Sequence, residues 1–132
     1  MKLQFYWMDL FGQLEPKCRQ LKPKYSTHGP SALASILVDT GGLRFLDTIS
    51  WLDEGLRLAA LVKGGGADAA AWDREAWSAY LTKHEAKIYS LYDDSCFQVV
   101  GIDSFEMVLT AWRRFIQSTP DAARSEKIDV PA

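Results

Sequence analysis

At 132 residues with a formal net charge of −2, the chain has the length of one domain and lacks a global basic field for gripping nucleic acid. Hydrophobic residues make up 48% and charged residues 24%, the profile of a chain that buries a core and not of a disordered one. Lys2, Gln4 and Asp9 interrupt the apolar start, and no unbroken apolar run approaches a membrane span, so no membrane partner is expected.

The first predicted element is a strand, because Leu3, Phe5 and Trp7 alternate with Gln4, Tyr6 and Met8. Over 12–30, the breakers Pro16, Pro23, Gly29 and Pro30 predict a long surface connection, with a short helical turn over 16–21 as the other option. Residues 31–38 are apolar enough for a short helix, which Gly41 and Gly42 end. A longer helix is expected over 43–62: Phe45, Leu46, Ile49, Leu52, Leu56, Ala59 and Ala60 trace one face, while Arg44, Asp47, Asp53, Glu54 and Arg57 lie mainly on others. Gly55 inside this helix costs about 1 kcal/mol relative to Ala, which points to close packing or a bend. Gly64, Gly65 and Gly66 read as a flexible turn, without the Lys and Ser/Thr of a phosphate-binding loop.

Residues 72–82 fit either a strand or a helix starting near Asp73 and Glu75; a strand over 77–82 is favoured because it continues a meander. The next strands fall over 87–92 and 97–102, joined by a turn at Asp93, Asp94 and Ser95. Then Phe105, Val108, Leu109, Trp112, Phe115 and Ile116 repeat at helical spacing, so one face must be buried. Asp103 and Glu106 have capping-box spacing, and the helix should end before Pro120. Residues 120–132 mix Pro, Ala and charge without an apolar face and are expected to form a disordered tail. The expected fold is α+β: one globular domain over 1–119 with an antiparallel meander and packed helices.

Chemical signatures are sparse. Cys18 and Cys96 have no C-x-x-C spacing and no secretory leader is legible ahead of them, so a reducing cytoplasm is the expected location. Cys96, beside Phe97 at a strand start, reads as a small apolar filler. His28 and His84 have no partner at metal-ligand spacing, and no G-x-S-x-G, H-E-x-x-H or G-x-G-x-x-G occurs. Adjacent Asp53 and Glu54 point about 100° apart on a helix and form no acid/base pair. No catalytic residue, metal or cofactor is expected. The charge is nevertheless uneven. Residues 16–25 contain Lys17, Arg19, Lys22 and Lys24 without an acid, and residues 89–107 contain Asp93, Asp94, Asp103 and Glu106 without a base. An aromatic share of 12% is high enough to line an interface as well as a core.

The run IYSLYDD, a second strand ending near Asp103, and then F-x-x-V-L-x-x-W-x-x-F-I together resemble the C-terminal half of small immunity proteins of bacterial contact-dependent growth inhibition systems. The likeness covers residues 44–117 and rests on aromatic spacing in a helix. It implies a cytoplasmic, non-catalytic antidote in a one-to-one complex with a toxin, frequently a nuclease, delivered by neighbouring cells. Such a toxin is basic where it grips phosphate, so the implied contact residues are Asp53, Glu54, Asp93 and Asp94, with Tyr92 as an aromatic anchor. A small ligand-binding or hydrolase-like domain, with aromatic residues lining a pocket, is the alternative reading.

Overall fold

A computed structural model describes residues 1–21 and 31–131. Lys22, Pro23, Lys24, His28, Gly29 and Pro30 therefore lie outside the described residues. The fold is α+β, with two antiparallel sheets and three α-helices among the described residues. In chain order come β1 (Lys2–Leu10), β2 (Gln13–Leu21), α1 (Ala32–Val38), a 3-10 turn (Phe45–Thr48), α2 (Ile49–Lys63), β3 (Ala69–Asp73), β4 (Trp77–Thr82), β5 (Glu85–Ser90), β6 (Phe97–Gly101), α3 (Ile102–Ile116) and β7 (Ser125–Asp129). One sheet has the order β2-β1-β7 and the other is the meander β3-β4-β5-β6.

The alternation in β1 does what the sequence requires: Leu3, Phe5 and Trp7 are buried and the residues between them face outward. The strand returns through Phe11 (φ 54°) and Gly12 (φ 85°), and two consecutive positive φ angles make the tight turn that matches strand twist. Asp9 Oδ1 accepts the Gly12 N–H at 2.8 Å. The connection expected from residue 12 is thus, up to Leu21, a second strand, and the helical turn over 16–21 does not form. Pro16 misled because it reads as a breaker. It sits opposite Trp7 in a strand with only one paired edge, where a missing N–H is tolerated.

Helix α1 is capped by Ser31, whose Oγ accepts the Ala34 N–H at 3.2 Å. It lies between β2 and strands β4, β5 and β6. The half-buried Gln98 of β6 joins these layers: its Oε1 accepts Ser31 Oγ (2.8 Å) and Leu33 N (3.1 Å), and its Nε2 donates to Gln20 Oε1 of β2 (2.9 Å). Helix α2 begins later than expected, after the 3-10 turn. Its buried positions are Leu52, Gly55, Ala59 and Val62, leaving Leu46 and Ala60 exposed. Gly55 is indeed a point of close approach: a Cβ there would lie 2.8 Å from Leu109 Cδ2 and 2.9 Å from Trp72 Cε2.

Helix α3 starts at Ile102 with Gly101 as its cap residue and no side-chain cap. The expected capping box does not form, because the helix begins ahead of Asp103, which therefore sits within the first turn and not at the N-cap; Asp103 and Glu106 instead both engage Lys63 of α2, at 2.5 and 2.6 Å. The first-turn N–H of Ile102 instead finds the carbonyl of His84 at 3.0 Å. The buried face of α3 includes all six apolar residues named above and also Ile102, Ser104 and Ala111. Such width arises because the helix is covered from two sides. Trp112 and Phe115 meet Phe5 at 5.2 and 5.5 Å, Phe115 stacks on Trp7 at 5.2 Å, and Phe105 meets Trp72 edge-on at 5.8 Å.

Residues 120–131 form no disordered tail. Strand β7 pairs with β1 from Lys2↔Asp129 to Tyr6↔Ser125, and Val130 is buried. Val130 N donates to Met1 O at 2.9 Å, the Met1 ammonium donates to Val130 O at 2.9 Å, and Ser104 Oγ donates to Pro131 O at 2.6 Å. Only Ile128 and Val130 mark this strand as apolar, too short an alternation to read without its partner. The globular unit therefore includes the segment after residue 119.

Two stability effects follow from this packing. A chain ending at Thr119 loses β7 and the buried Val130, and is expected to unfold about 2 to 4 kcal/mol more easily in urea than the full chain. Equal midpoints would show that β7 contributes nothing. Gly55→Ala should destabilise by about 1 to 3 kcal/mol, because overpacking against Trp72 outweighs the roughly 1 kcal/mol gain in helix propensity. A stabilised variant in chemical denaturation would refute the close approach.

Candidate functional site

The acidic residues singled out in the sequence fall into two environments. Asp53 and Glu54 lie on α2, and each is already paired: Asp53 accepts Arg113 Nε of α3 at 2.7 Å, and Glu54 holds Arg57 in a two-point contact at 2.7 and 2.9 Å. The hydrogen bonds and charge of Arg57 hold the Glu54 carboxyl below its ordinary range. Neither carboxylate is free charge awaiting a partner. Asp103 and Glu106 share Lys63, whose ammonium they push above its usual range.

Tyr92, Asp93 and Asp94 instead occupy the β5–β6 turn, which is tightly built. Ser90 Oγ accepts the N–H groups of Tyr92 and Asp93, both at 3.2 Å. Asp93 Oδ1 accepts Ser95 Oγ (2.6 Å) and Ser95 N (3.1 Å), and Oδ2 lies 3.5 Å from Cys96 Sγ. These bonds, the Ser95 hydroxyl foremost, hold the Asp93 carboxyl below the ordinary range, so it stays an anion. The turn is also tied to the neighbouring β3–β4 turn through Leu91 N to Ala76 O at 2.9 Å. Asp93 thus shapes the loop, while Tyr92, 80% exposed, and Asp94 project from it.

Sequence reasoning missed the surface next to this turn. On the meander, the helix-facing rows Ala70–Leu81–Ala86–Val100 and Trp72–Ala79–Ile88–Gln98 leave two outward rows, Ala71–Tyr80–Lys87–Val99 and Asp73–Ser78–Tyr89–Phe97. Tyr80, Val99 and Phe97 are 49%, 44% and 55% exposed, with Lys87 Nζ over the Phe97 ring at 4.8 Å. The alternating pattern was legible, but it placed polar residues on neither face consistently. Tyr80, Val99 and Phe97 thus form an exposed aromatic–aliphatic sheet face, and Leu91 and Tyr92 are exposed in the turn that follows β5.

The β3–β4 turn behind it carries a second cluster with no sequence signature. The Arg74 guanidinium lies over Trp51 at 4.0 Å and Trp72 at 4.9 Å, and its Nε and Nη1 are buried without a partner among the described residues. Burial lowers its pKa, opposed by Asp39 and Asp73. Asp39 Oδ2 accepts Ala76 N (2.7 Å) and Trp77 N (3.1 Å), and Trp72 Nε1 donates to Trp51 O (2.9 Å), so α1, α2 and the turn are fixed together.

Cavities offer less. One of about 360 Å³ is lined by Phe11, Pro16, Leu37, Phe45, Thr48 and Trp112 among others, and the Thr48 hydroxyl already donates to Phe45 O. His84 borders another of about 430 Å³ with Ser104, whose hydroxyl is engaged by Pro131 O. Cys96 is exposed and not the buried filler expected, and Asp93 raises its pKa. Cys18 is partly buried against the core, and that burial pushes its thiol up to about 12. Among the described residues no cluster of His, Cys, Asp and Glu could hold a metal, and no helix is long and apolar enough to cross a membrane. No family model, curated protein or solved structure matches the chain.

The turn chemistry is open to a direct reading by thiol labelling. In the native protein Cys96 should react with a disulfide reagent at pH 8 while Cys18 stays protected. Asp93→Asn removes the carboxylate whose hydrogen bond and charge raise the Cys96 pKa, so more thiolate forms and the rate should rise a few-fold. An unchanged rate would place the Asp93 carboxylate away from the sulfur.

Proposed function

We propose that the chain is a cytoplasmic immunity protein that neutralises the toxin domain of a contact-dependent growth inhibition system, probed most directly with a nuclease toxin, by tight one-to-one binding without catalysis. The observation that carries this reading is the exposed face of Tyr80, Phe97 and Val99 on the meander, with the exposed Tyr92, Asp93 and Asp94 in the turn that joins β5 to β6. Large apolar side chains grouped on one sheet face are costly in water, and the acids of the turn favour a partner of opposite sign at that end, away from Lys87 on the face itself. A nuclease surface, basic where it holds phosphate, has that complementary sign. The resemblance in the 44–117 segment supports the same class.

Within this reading the contact set centres on Tyr92, Asp94 and the sheet face. Asp93 acts as the brace that holds the turn, and Asp53 and Glu54 act mainly within their ion pairs. Rings supply the buried contact area and slow dissociation, whereas the rim charge sets the association rate.

Co-expression with the toxin domain encoded in an adjoining reading frame should yield a one-to-one complex and abolish toxin activity. Asp94→Lys should slow association several-fold at low salt, and Phe97→Ala should speed dissociation by tenfold or more, both with the free protein still folded. A neighbouring toxin that neither binds nor loses activity overturns the reading.

A further inference from the structure

Two cations of the basic run noted in the sequence, Lys17 and Arg19, are not absorbed by the surface just described and lie on the other sheet. The outward rows of β2-β1-β7 are Arg19–Gln4–Lys127, Lys17–Tyr6–Ser125 and Leu21–Lys2–Asp129. Four cations from three strands, Lys2, Lys17, Arg19 and Lys127, therefore share one face, and none forms an ion pair with a described residue. Of the acids nearest them, Asp129 is paired with the Met1 ammonium at 3.4 Å, and Glu15 lies one row beyond Lys17, opposite Met8. The segment that follows β2, residues 22–30, adds Lys22 and Lys24 to the sequence and no carboxylate.

Arg19 is held in place on this face. Its Nε donates to Gln4 Oε1 at 2.8 Å and its guanidinium lies over the Tyr6 ring at 5.0 Å. Those two contacts fix the plane of the guanidinium and leave the two terminal nitrogens as an oriented fork, the geometry that receives a carboxylate at two points. Solubility or protection of the β2 edge requires only charge and gives no reason to orient an arginine.

We infer that the outer face of β2-β1-β7 is a second docking surface, one that receives an extended acidic segment of a protein partner, with a carboxylate seated on Arg19. Lys17 and Arg19 are two residues apart on one strand, about 7 Å, which is also the spacing of same-side residues in an extended peptide. Alternate acids of such a segment therefore meet successive cations. Nucleic acid fits the face less well: base stacking needs open aromatic faces, and Tyr6, the aromatic in these rows, is covered by Arg19. The inference is independent of the toxin reading, since it uses another sheet and the opposite charge.

The test uses the full chain and a fluorescent twelve-residue peptide alternating Glu and Ser, followed by anisotropy at low ionic strength and at about 0.15 M salt. Saturable binding is expected, weakened about tenfold by Arg19→Gln and only partly restored in Arg19→Lys, because the lysine lacks the fork. Gln4→Ala should weaken binding two- to threefold, about the effect of freeing the guanidinium plane. Asp94→Lys should leave peptide binding nearly unchanged, which separates this face from the toxin contact. No binding, or equal binding by the wild type and Arg19→Gln, overturns the proposal. Tighter binding of a twelve-nucleotide oligo(dT) than of the peptide reassigns the face to nucleic acid and overturns it too. Self-association that saturates in the same concentration range would make a second copy the occupant, with the same consequence.

Discussion

Burial of helix α3 on two sides is the constraint from which most of the architecture follows. A helix with one apolar stripe needs one neighbour, but nine of the fifteen α3 residues are buried, and no single layer can cover so wide a face. Phe105 and Leu109 are covered by α2 and the meander, through Trp72 and the notch at Gly55. Trp112 and Phe115 are covered by Phe5 and Trp7 of the other sheet. The two sheets therefore have no need to share a hydrogen-bonded edge. They are joined by aromatic contacts through one helix, and by the polar clamp of Gln98 between Ser31, Leu33 and Gln20. That clamp satisfies amide and hydroxyl groups that would otherwise be costly to bury.

Sequence periodicity was informative where one element carried its own signal and weak where the signal belonged to a partner. Leu3, Phe5 and Trp7 identified β1, and the six apolar residues of α3 identified that helix, because each pattern repeats several times within a single segment. Strands β2 and β7 carry no such repeat. Pro16 reads as a breaker until β2 is known to lie on an edge, and Ile128 and Val130 read as isolated apolar residues until β1 is there to pair with them. Strand β3 was hidden for a third reason: Ala69, Ala70 and Ala71 have helical propensity, overridden by pairing with β4 and by the indole of Trp72 entering the core.

The candidate sites show the same division. Local charge balance identified an acid-only stretch, yet half of it, Asp103 and Glu106, shares the single cation of Lys63 from a helix about forty residues earlier in the chain, which offsets one of the two charges. The same holds for Asp53, which Arg113 reaches across the α2–α3 packing. What remains projecting from that stretch is the β5–β6 turn. Its neighbour, the face of Tyr80, Phe97 and Val99, could be recognised only once strand register placed those three side chains on one side. Capping-box spacing failed because the helix starts at Ile102, ahead of Asp103, so the spacing was one of first-turn residues and not of an N-cap and its partner.

Separation of charge by sheet has a physical consequence for how the molecule meets other macromolecules. A net charge of −2 describes neither face, because the acids that remain unpaired near the meander and the cations on β2-β1-β7 lie on different sheets. At an ionic strength where the Debye length is about 8 Å, charges on separate sheets act on approaching partners almost independently. On the two proposals made above, a basic partner would be steered to the β5–β6 turn and an acidic one to Arg19 and its neighbours. The rigid elements that present them differ as well. Asp93 locks a turn through Ser95 and Cys96, and Gln4 with Tyr6 locks an arginine on a flat sheet. Both arrangements place the ordering cost of a charged contact in the folding of the free protein, so less of it remains to be met when a partner arrives.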